Sequence, residues 1–438
     1  MSRTVRPQRV AVAVSGGCDS TALWHATACA ARGSGIEVVA LHVHHGLQPE
    51  ADAWVTRLRR QAARWAASGL PVRLRWQRAP GAPSRGQSIE AWARGVRYQA
   101  MAEMAGAEGI GLVLLAHHRL DQAETFLLQA LRGAGPAGLA AMPRQIERDG
   151  IVWLRPWLDQ PRTAIEAYLQ RHRLSYVDDP SNRQRKLLRN RLRNEVWPAL
   201  CTAFEQAESS LVASARRAHE AAACLRELAQ IDRASACDAD GALRLDGWLA
   251  LSEARRANLL RHWLSAQASA GVADSLVLRL LHELPAASSA SAWPWQGGAL
   301  RLHRGRLRVV ADAVQQVAGA VPDAMHLDLS REGHFAVPAW GGHFEVAAVS
   351  AAGLAPQRLQ RCVLRPRRGG ERFQLAAAAP PRALKKQFQS AGVPAWQRTG
   401  PLLYAAQQLL FVPGLGIDAR AHAPHGTRML GLRWLPDR

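Results

Sequence analysis

A chain of 438 residues is too long for one ordinary domain, and 48% hydrophobic content supports two or three packed cores rather than disorder. A net charge of +21 and a pI near 11.2 point to a polyanionic partner, most simply nucleic acid, although 53 of the 56 basic residues are arginine, a bias that genomic base composition can also produce. Six cysteines without a Cys-x-x-Cys pair argue against a zinc ribbon, an iron–sulfur site and a disulfide framework, and no apolar run reaches membrane-spanning length, so a cytoplasmic protein is expected.

Residues 10–14 form a short apolar run that reads as a buried strand, and helix-forming residues resume at 20–31. Between them stand Ser15, Gly16, Gly17, Cys18, Asp19 and Ser20. A Gly-Gly turn ahead of a helix aims free backbone N–H groups, and the positive end of the helix dipole, at one point. Asp19 can hold a magnesium ion that bridges phosphate oxygens. The plain alternative is a Gly-Gly turn with a serine cap. Neither Gly-x-x-x-x-Gly-Lys-Ser/Thr nor Gly-x-Gly-x-x-Gly follows this strand.

Further strands are expected at 37–43, 72–76 and 112–116, and helices at 50–67 and 88–105. Alternation at this spacing indicates a doubly wound parallel sheet, whose strand C-termini share one ligand-binding edge. Three polar clusters follow strands and should meet there: residues 15–20, residues 42–47 with His42, His44 and His45, and residues 117–124 with His117 and His118. The histidines read better as packing against a nucleotide than as metal ligands. Asp121 and Glu124, at i and i+3, share one face near a helix start. They suit binding or deprotonating an ammonium group, or equally complementing the helix dipole.

Farther on, Arg183, Arg185, Lys186, Arg189, Arg191 and Arg193 occur without an acid, a candidate phosphate-contacting surface. A long Ala-rich helix is expected over 204–230, mainly helical structure over 246–284, a loop over 285–294, and short strands near 299–303 and 306–310. From about 356 a small α/β unit begins, with ten basic residues and one acid, Glu371, between Arg358 and Arg398. Domain limits are set at 1–203 (catalytic), 204–350 (linker helix and mainly helical) and 351–438 (small α/β).

The 15–20 string resembles the Ser-Gly-Gly-x-Asp-Ser pyrophosphate loop of the ATP pyrophosphatase superfamily. His42-Val-His-His-Gly-Leu47, Glu90, Arg94, Arg97, Asp121-Gln-Ala-Glu124, Arg132-Gly-Ala-Gly-Pro136, Asp178-Asp-Pro-Ser-Asn182 and Arg189-Asn-Arg-Leu-Arg193 follow in the same order as in the tRNA(Ile)-lysidine synthetase family. Arg368-Gly-Gly-Glu-Arg372, Leu384-Lys-Lys386 and Pro394-Ala-Trp-Gln-Arg398 match its last domain.

The resemblance implies a ligase that uses ATP and magnesium to join L-lysine to C2 of the wobble cytidine of a CAU-anticodon tRNA(Ile), through an adenylated cytidine. It assigns ATP to Ser15, Gly16, Gly17, Cys18, Asp19, Ser20 and His44, with Asp19 also holding the metal. Catalysis falls to Asp19, Asp121, Glu124 and Arg97, the last facing the α-phosphate. tRNA contact falls to Arg189, Arg191, Arg193, Arg368, Arg372, Lys385 and Lys386. Dimers are common in that family, and no stretch here proves a homodimer. Two departures stand out: Leu120 replaces the first of two consecutive aspartates, and Ala134 replaces a serine. The competing readings are a small-molecule synthetase, a tRNA thiolase and a non-catalytic RNA-binding protein.

Overall fold

The computed structural model describes residues 8–44, 46, 50–81, 89–177, 188–268, 271–288, 291–311, 322–424 and 426–436, apart from the side chains of 89–91. It divides into two compact units, Met1–Leu228 and Ala229–Arg438.

The first unit alternates strand and helix: β1 (Arg9–Ala13), α1 (Cys18–Ala31), β2 (Glu37–His44), α2 (Ala51–Ala67), β3 (Val72–Arg78), α3 (Ile89–Ala107), β4 (Leu112–Leu114), α4 (Arg119–Ala130), α5 (Pro136–Leu139), β5 (Gln145–Arg148), β6 (Ile151–Leu154) and α6 (Arg162–Arg171). The sheet order is β3-β2-β1-β4-β6-β5. All neighbours are parallel except the β5–β6 hairpin. Every residue of β2 after Glu37 is buried, as expected of a strand covered on both faces. Leu23, Trp24 and Ala28 of α1 and Leu58, Ala62 and Trp65 of α2 cover one face. Ala100, Met101, Met104 and Ala105 of α3 cover the other, against Val39, Leu41, Val113 and Trp153. The strand order reverses at β1, whose two neighbours are β2 and β4, so the crevice opens beyond the C-termini of β1 and β4.

Beyond the sheet, α7 (Leu188–Arg191) passes through a π-helical turn at Leu192–Val196 into α8 (Trp197–Ala203). The expected Ala-rich helix is α9 (Ala207–Ala236), 30 residues long.

The second unit begins with β7 (Leu243–Arg244), α10 (Leu245–Leu249), α11 (Glu253–Ser265), α12 (Asp274–Glu283), β8 (Ala292–Trp295), β9 (Gly298–His303) and β10 (Arg306–Ala311). The helices share a core with an antiparallel sheet ordered β7-β10-β9-β8, burying Trp248, Leu260, Trp263, Val277, Leu280 and Trp293. The middle region is therefore helical with a sheet, and β8 occupies part of the expected loop.

β11 (Met325–Leu327), β12 (Gly333–Val337), β13 (Gly342–Val349), β14 (Cys362–Arg365), β15 (Arg372–Phe373), β16 (Arg382–Ala383), α13 (Leu384–Ser390), β17 (Leu402–Ala405), β18 (Gln408–Val412), β19 (Gly416–Ile417) and β20 (Met429–Pro436) complete the chain. β11 pairs with β14 and β13 pairs along its whole length with β20, so residues from 325 onward pair into the C-terminal sheets. No helix among the described residues is long and apolar enough to cross a membrane.

Trp153 is 1% exposed at the centre of the core under α3. Trp153→Ala is expected to cost the first unit about 3–5 kcal/mol, measured by urea denaturation. A loss below about 1 kcal/mol would mean that the core does not depend on this ring.

Candidate active site at the sheet switch point

The chain leaves β1 and turns at Gly16, whose φ of 96° is a conformation that L side chains rarely adopt. Gly17 is the N-cap of α1. The loop holds its shape by its own hydroxyls: Ser15 N donates to Ser20 Oγ at 3.2 Å, Ser20 Oγ donates to Gly17 O at 3.1 Å, and Gly17 N donates to Ser15 Oγ at 3.3 Å. From the other side, Val177 N donates to Gly16 O at 2.9 Å. The loop is thus fixed while the helix N-terminus stays available to an anion.

Asp19 lies in the first turn of α1. Its Oδ1 is buried and makes no hydrogen bond among the described residues, although His118 Nε2 stands 3.8 Å away. The same imidazole nitrogen is 3.4 Å from Asp121 Oδ2. His118, 1% exposed at the N-cap of α4, therefore lies between the phosphate-type loop and the acids of α4. No group of three or more His, Cys, Asp or Glu among the described residues is arranged to hold a metal. A cation at Asp19 would need oxygen ligands from a substrate.

Glu124 is fully buried, and the groups that neutralise it come from about 70 residues away. Arg193 donates from Nε to Glu124 Oε1 at 2.6 Å and from Nη2 to Oε2 at 2.8 Å, and Arg189 donates from Nε to Oε2 at 2.9 Å. Both arginines also reach Asp121 Oδ1, at 3.4 and 3.1 Å. Burial works against ionisation of Asp121, but His118, Arg189, His117 and Arg193 outweigh it and hold the carboxyl below its ordinary range. The π-helical turn begins between the two arginines, a local irregularity common at functional sites. Arg189 and Arg193, expected to contact tRNA, are thus placed on the acids of α4, whereas Arg191 points to the exposed surface.

Among the remaining candidates, His44 is buried at the end of β2, its Nε2 3.3 Å from Asp52 Oδ1. His42 donates from Nδ1 to Val14 O at 2.8 Å, tying β2 to the end of β1. Burial and the charge of Arg97 help keep His42 neutral, which puts Arg97 within electrostatic reach of the same edge. Cys18 is pushed up to about 11 by burial and by Asp19, so it is a thiol rather than a thiolate nucleophile. Leu120 is 8% exposed and takes part in packing. His45, Leu47, residues 178–182, Arg183, Arg185, Lys186 and the Glu90 side chain lie outside the described residues.

In the second unit, Arg368, Arg372, Lys385 and Lys386 are all exposed. Arg368 pairs with Asp323, and its N–H and that of Gly369 donate to Glu371 Oε1 at 2.7 and 2.9 Å, which fixes the Gly-Gly turn. A cavity of about 930 Å³ nearby is lined by Arg358, Arg361, Arg372, Arg420, Glu371 and Tyr404. Such a concentration of arginines suits a polyanion.

Sequence reading missed His118 as the bridge between the loop and the acids, the pairing of Arg189 and Arg193 with those acids, and Arg155. Only the position of His118 directly before the Asp121 and Glu124 helix hinted at its place. His117 is pushed down to about 4, first by burial and then by Arg155, Arg189 and Arg94 against the pull of Asp121. Its folded pKa lies below the unfolded value of about 6.5, so the unfolded chain takes up the proton first and stability falls as pH drops from about 6.5 toward 4. His117→Gln should flatten that decline by about 1 kcal/mol per pH unit, read by urea denaturation between pH 7.5 and 4.5. An unchanged slope would show that another group carries it.

Three family models match the chain: a PP-loop domain over residues 1–200, a TilS substrate binding domain over 243–308 and a TilS substrate C-terminal domain over 362–434. A tRNA(Ile)-lysidine synthase of Ralstonia nicotianae is 42% identical across 94% of this chain and 90% of its own. Another from Burkholderia mallei is 38% identical across 98% and 93%. A crystal structure of a TilS C-terminal domain aligns at 22% identity and a TM-score of 0.22, covering 26% of this chain and 98% of that one. The chain belongs to the tRNA(Ile)-lysidine synthase family.

Proposed function

We propose that this chain ligates L-lysine to C2 of the wobble cytidine of a CAU-anticodon tRNA(Ile), consuming ATP and releasing AMP and pyrophosphate. The observation that carries this reading is the convergence on His118 of Asp19, from the phosphate-type loop, and Asp121, from the acid pair. A loop for a nucleoside triphosphate and a site for an amine then lie side by side, as an adenylating ligase requires.

In the first step the cytidine O2 attacks the α-phosphorus, a bond to the α-phosphorus breaks, and pyrophosphate leaves toward the 15–20 loop and the N-terminus of α1. Asp19 would hold a magnesium ion, whose chemistry there would be to neutralise triphosphate charge. In the second step the lysine amine attacks C2, the C2–O2 bond breaks, and AMP carries the former O2 away. The amine must first lose a proton, which on this reading Asp121 or Glu124 would accept or pass on. Asp121, held below its ordinary range, is a weak proton acceptor and is better suited to binding the amine than to keeping its proton. A tRNA thiolase is disfavoured because the chain has no Cys-x-x-Cys pair and Cys18 occupies the variable position of the loop. The basic surface around Arg368, Arg372, Lys385 and Lys386 would hold the tRNA, which a small-molecule synthetase does not need.

The test combines purified protein, magnesium-ATP, labelled lysine and a tRNA(Ile) transcript with the CAU anticodon. Lysine should enter the RNA with stoichiometric AMP, and Asp19→Ala or Glu124→Gln should each slow turnover by at least about 100-fold. AMP release without lysine incorporation would leave the adenylating step and replace the nucleophile. No AMP from the wild-type chain would sink the reading altogether.

A further inference from the structure

Arg155 directly follows β6 and is 2% exposed. Leu115 N donates to Leu154 O at 2.8 Å, so Arg155 stands at the same C-terminal edge as the residues after β4, one strand across from the switch point. Nη1 of its guanidinium donates to Pro143 O at 2.8 Å, and Tyr98 is close enough to favour its charge. Its Nε is buried and has no hydrogen-bond partner among the described residues. No carboxylate among the described residues forms an ion pair with it, in contrast to Arg189 and Arg193.

A cation taken out of water without a counter-ion is costly. The neighbourhood adds to that cost. Burial disfavours the charge of Arg155, the Tyr98 hydroxyl offsets part of this, and Arg94 opposes it further. Burial first, and then Arg155, Arg189 and Arg94, keep the neighbouring His117 from charging. Several positive groups thus act on a neutral imidazole, opposed by Asp121. Such an arrangement is incomplete until an anion arrives, and the density of positive charge suits a phosphate better than a lone carboxylate.

We propose that Arg155 is an anion-binding residue of the catalytic edge, and that its missing counter-ion is a phosphate oxygen of the substrate. The two sources with this chemistry are the α-phosphate of the bound nucleotide and the phosphodiester next to the wobble nucleotide. The proposal rests on the reading of the chain as an ATP- and tRNA-using ligase. It adds a residue that neither the phosphate-type loop nor the acid pair supplies.

The test uses the full chain with Arg155→Met and Arg155→Lys, titrated with AMP by calorimetry and with the tRNA transcript by filter binding over a range of salt. Arg155→Met should weaken binding of one of the two by about 10- to 100-fold, and Arg155→Lys should recover part of it. A loss on AMP assigns the nucleotide phosphate. A loss on the transcript, with the slope of log K against log salt shallower by about 0.7, assigns the phosphodiester. Unchanged affinity for both, or a loss confined to lysine, overturns the proposal.

Should Arg155→Met fail to fold, the wild-type chain still decides. A phosphate beside Arg155 offsets its positive field, so the pKa of His117 should rise above about 4 when AMP or transcript is added, as followed by imidazole NMR. A His117 titration unmoved by saturating amounts of both overturns the proposal. Failure of the wild-type chain to incorporate lysine would instead count against the ligase reading, independently of these binding results.

Discussion

A carboxylate removed entirely from water must be neutralised or it will take up a proton, and Glu124 is such a group. Its two oxygens are covered by two guanidinium groups rather than one, and both guanidinium groups continue to Asp121. The demand fixes more than two side chains. It holds α7 and the π-helical turn against α4, and Arg119 of α4 in turn pairs with Glu208 at the start of α9 at 2.6 Å. Removing either acid would leave two cations sharing one carboxylate in a partly buried place, so the four groups are energetically coupled.

The position of that cluster follows from the sheet. Only at the strand-order reversal do the loops after two adjacent strands part, and here those strands are β1 and β4. The loop after β1 contributes backbone N–H groups and Asp19, and the loop after β4 contributes His118 and the start of α4. Gly16 makes the first of these possible through its positive φ, since an L side chain there would strain the turn even though the nearest neighbour, Val177, leaves room for a Cβ. His42 braces the join by bonding the carbonyl of Val14, just ahead of the loop.

The legible part of this design was its local part. Apolar runs bounded by polar clusters identified β1, β2 and β4, because a strand buried on both faces needs such a run. The β5–β6 hairpin was not legible: Gln145, Glu147 and Arg148 are exposed and polar, and only pairing with β6 makes a strand of them. β8 contains Pro294, which reads as a loop residue and is tolerated because β8 is an edge strand. β13 finds its partner β20 some ninety residues downstream, a pairing that no local pattern announces. The same limit governed the site. The loop residues and the acids of α4 were readable from spacing, whereas a run of arginines without a neighbouring acid gives no sign that two of them will meet Glu124. A single arginine after a strand, such as Arg155, gives still less.

The pairing bears on how an amine could react there. Asp121 and Glu124 contribute two negative charges, and Arg189 and Arg193 return two positive ones, so an incoming lysine meets acids that are already compensated. Two free carboxylates would stabilise the ammonium form and raise its pKa, the opposite of what a nucleophile needs. Compensated acids can still accept hydrogen bonds from N–H groups while exerting little net pull on the proton. Guanidinium groups suit this balance, because their planar forks hold the carboxylates in a fixed geometry and cannot themselves give up a proton at neutral pH. On the proposed reading, then, the arginines lower the cost of presenting lysine as a neutral amine, and a basic segment that looked fit only for RNA serves the chemistry directly.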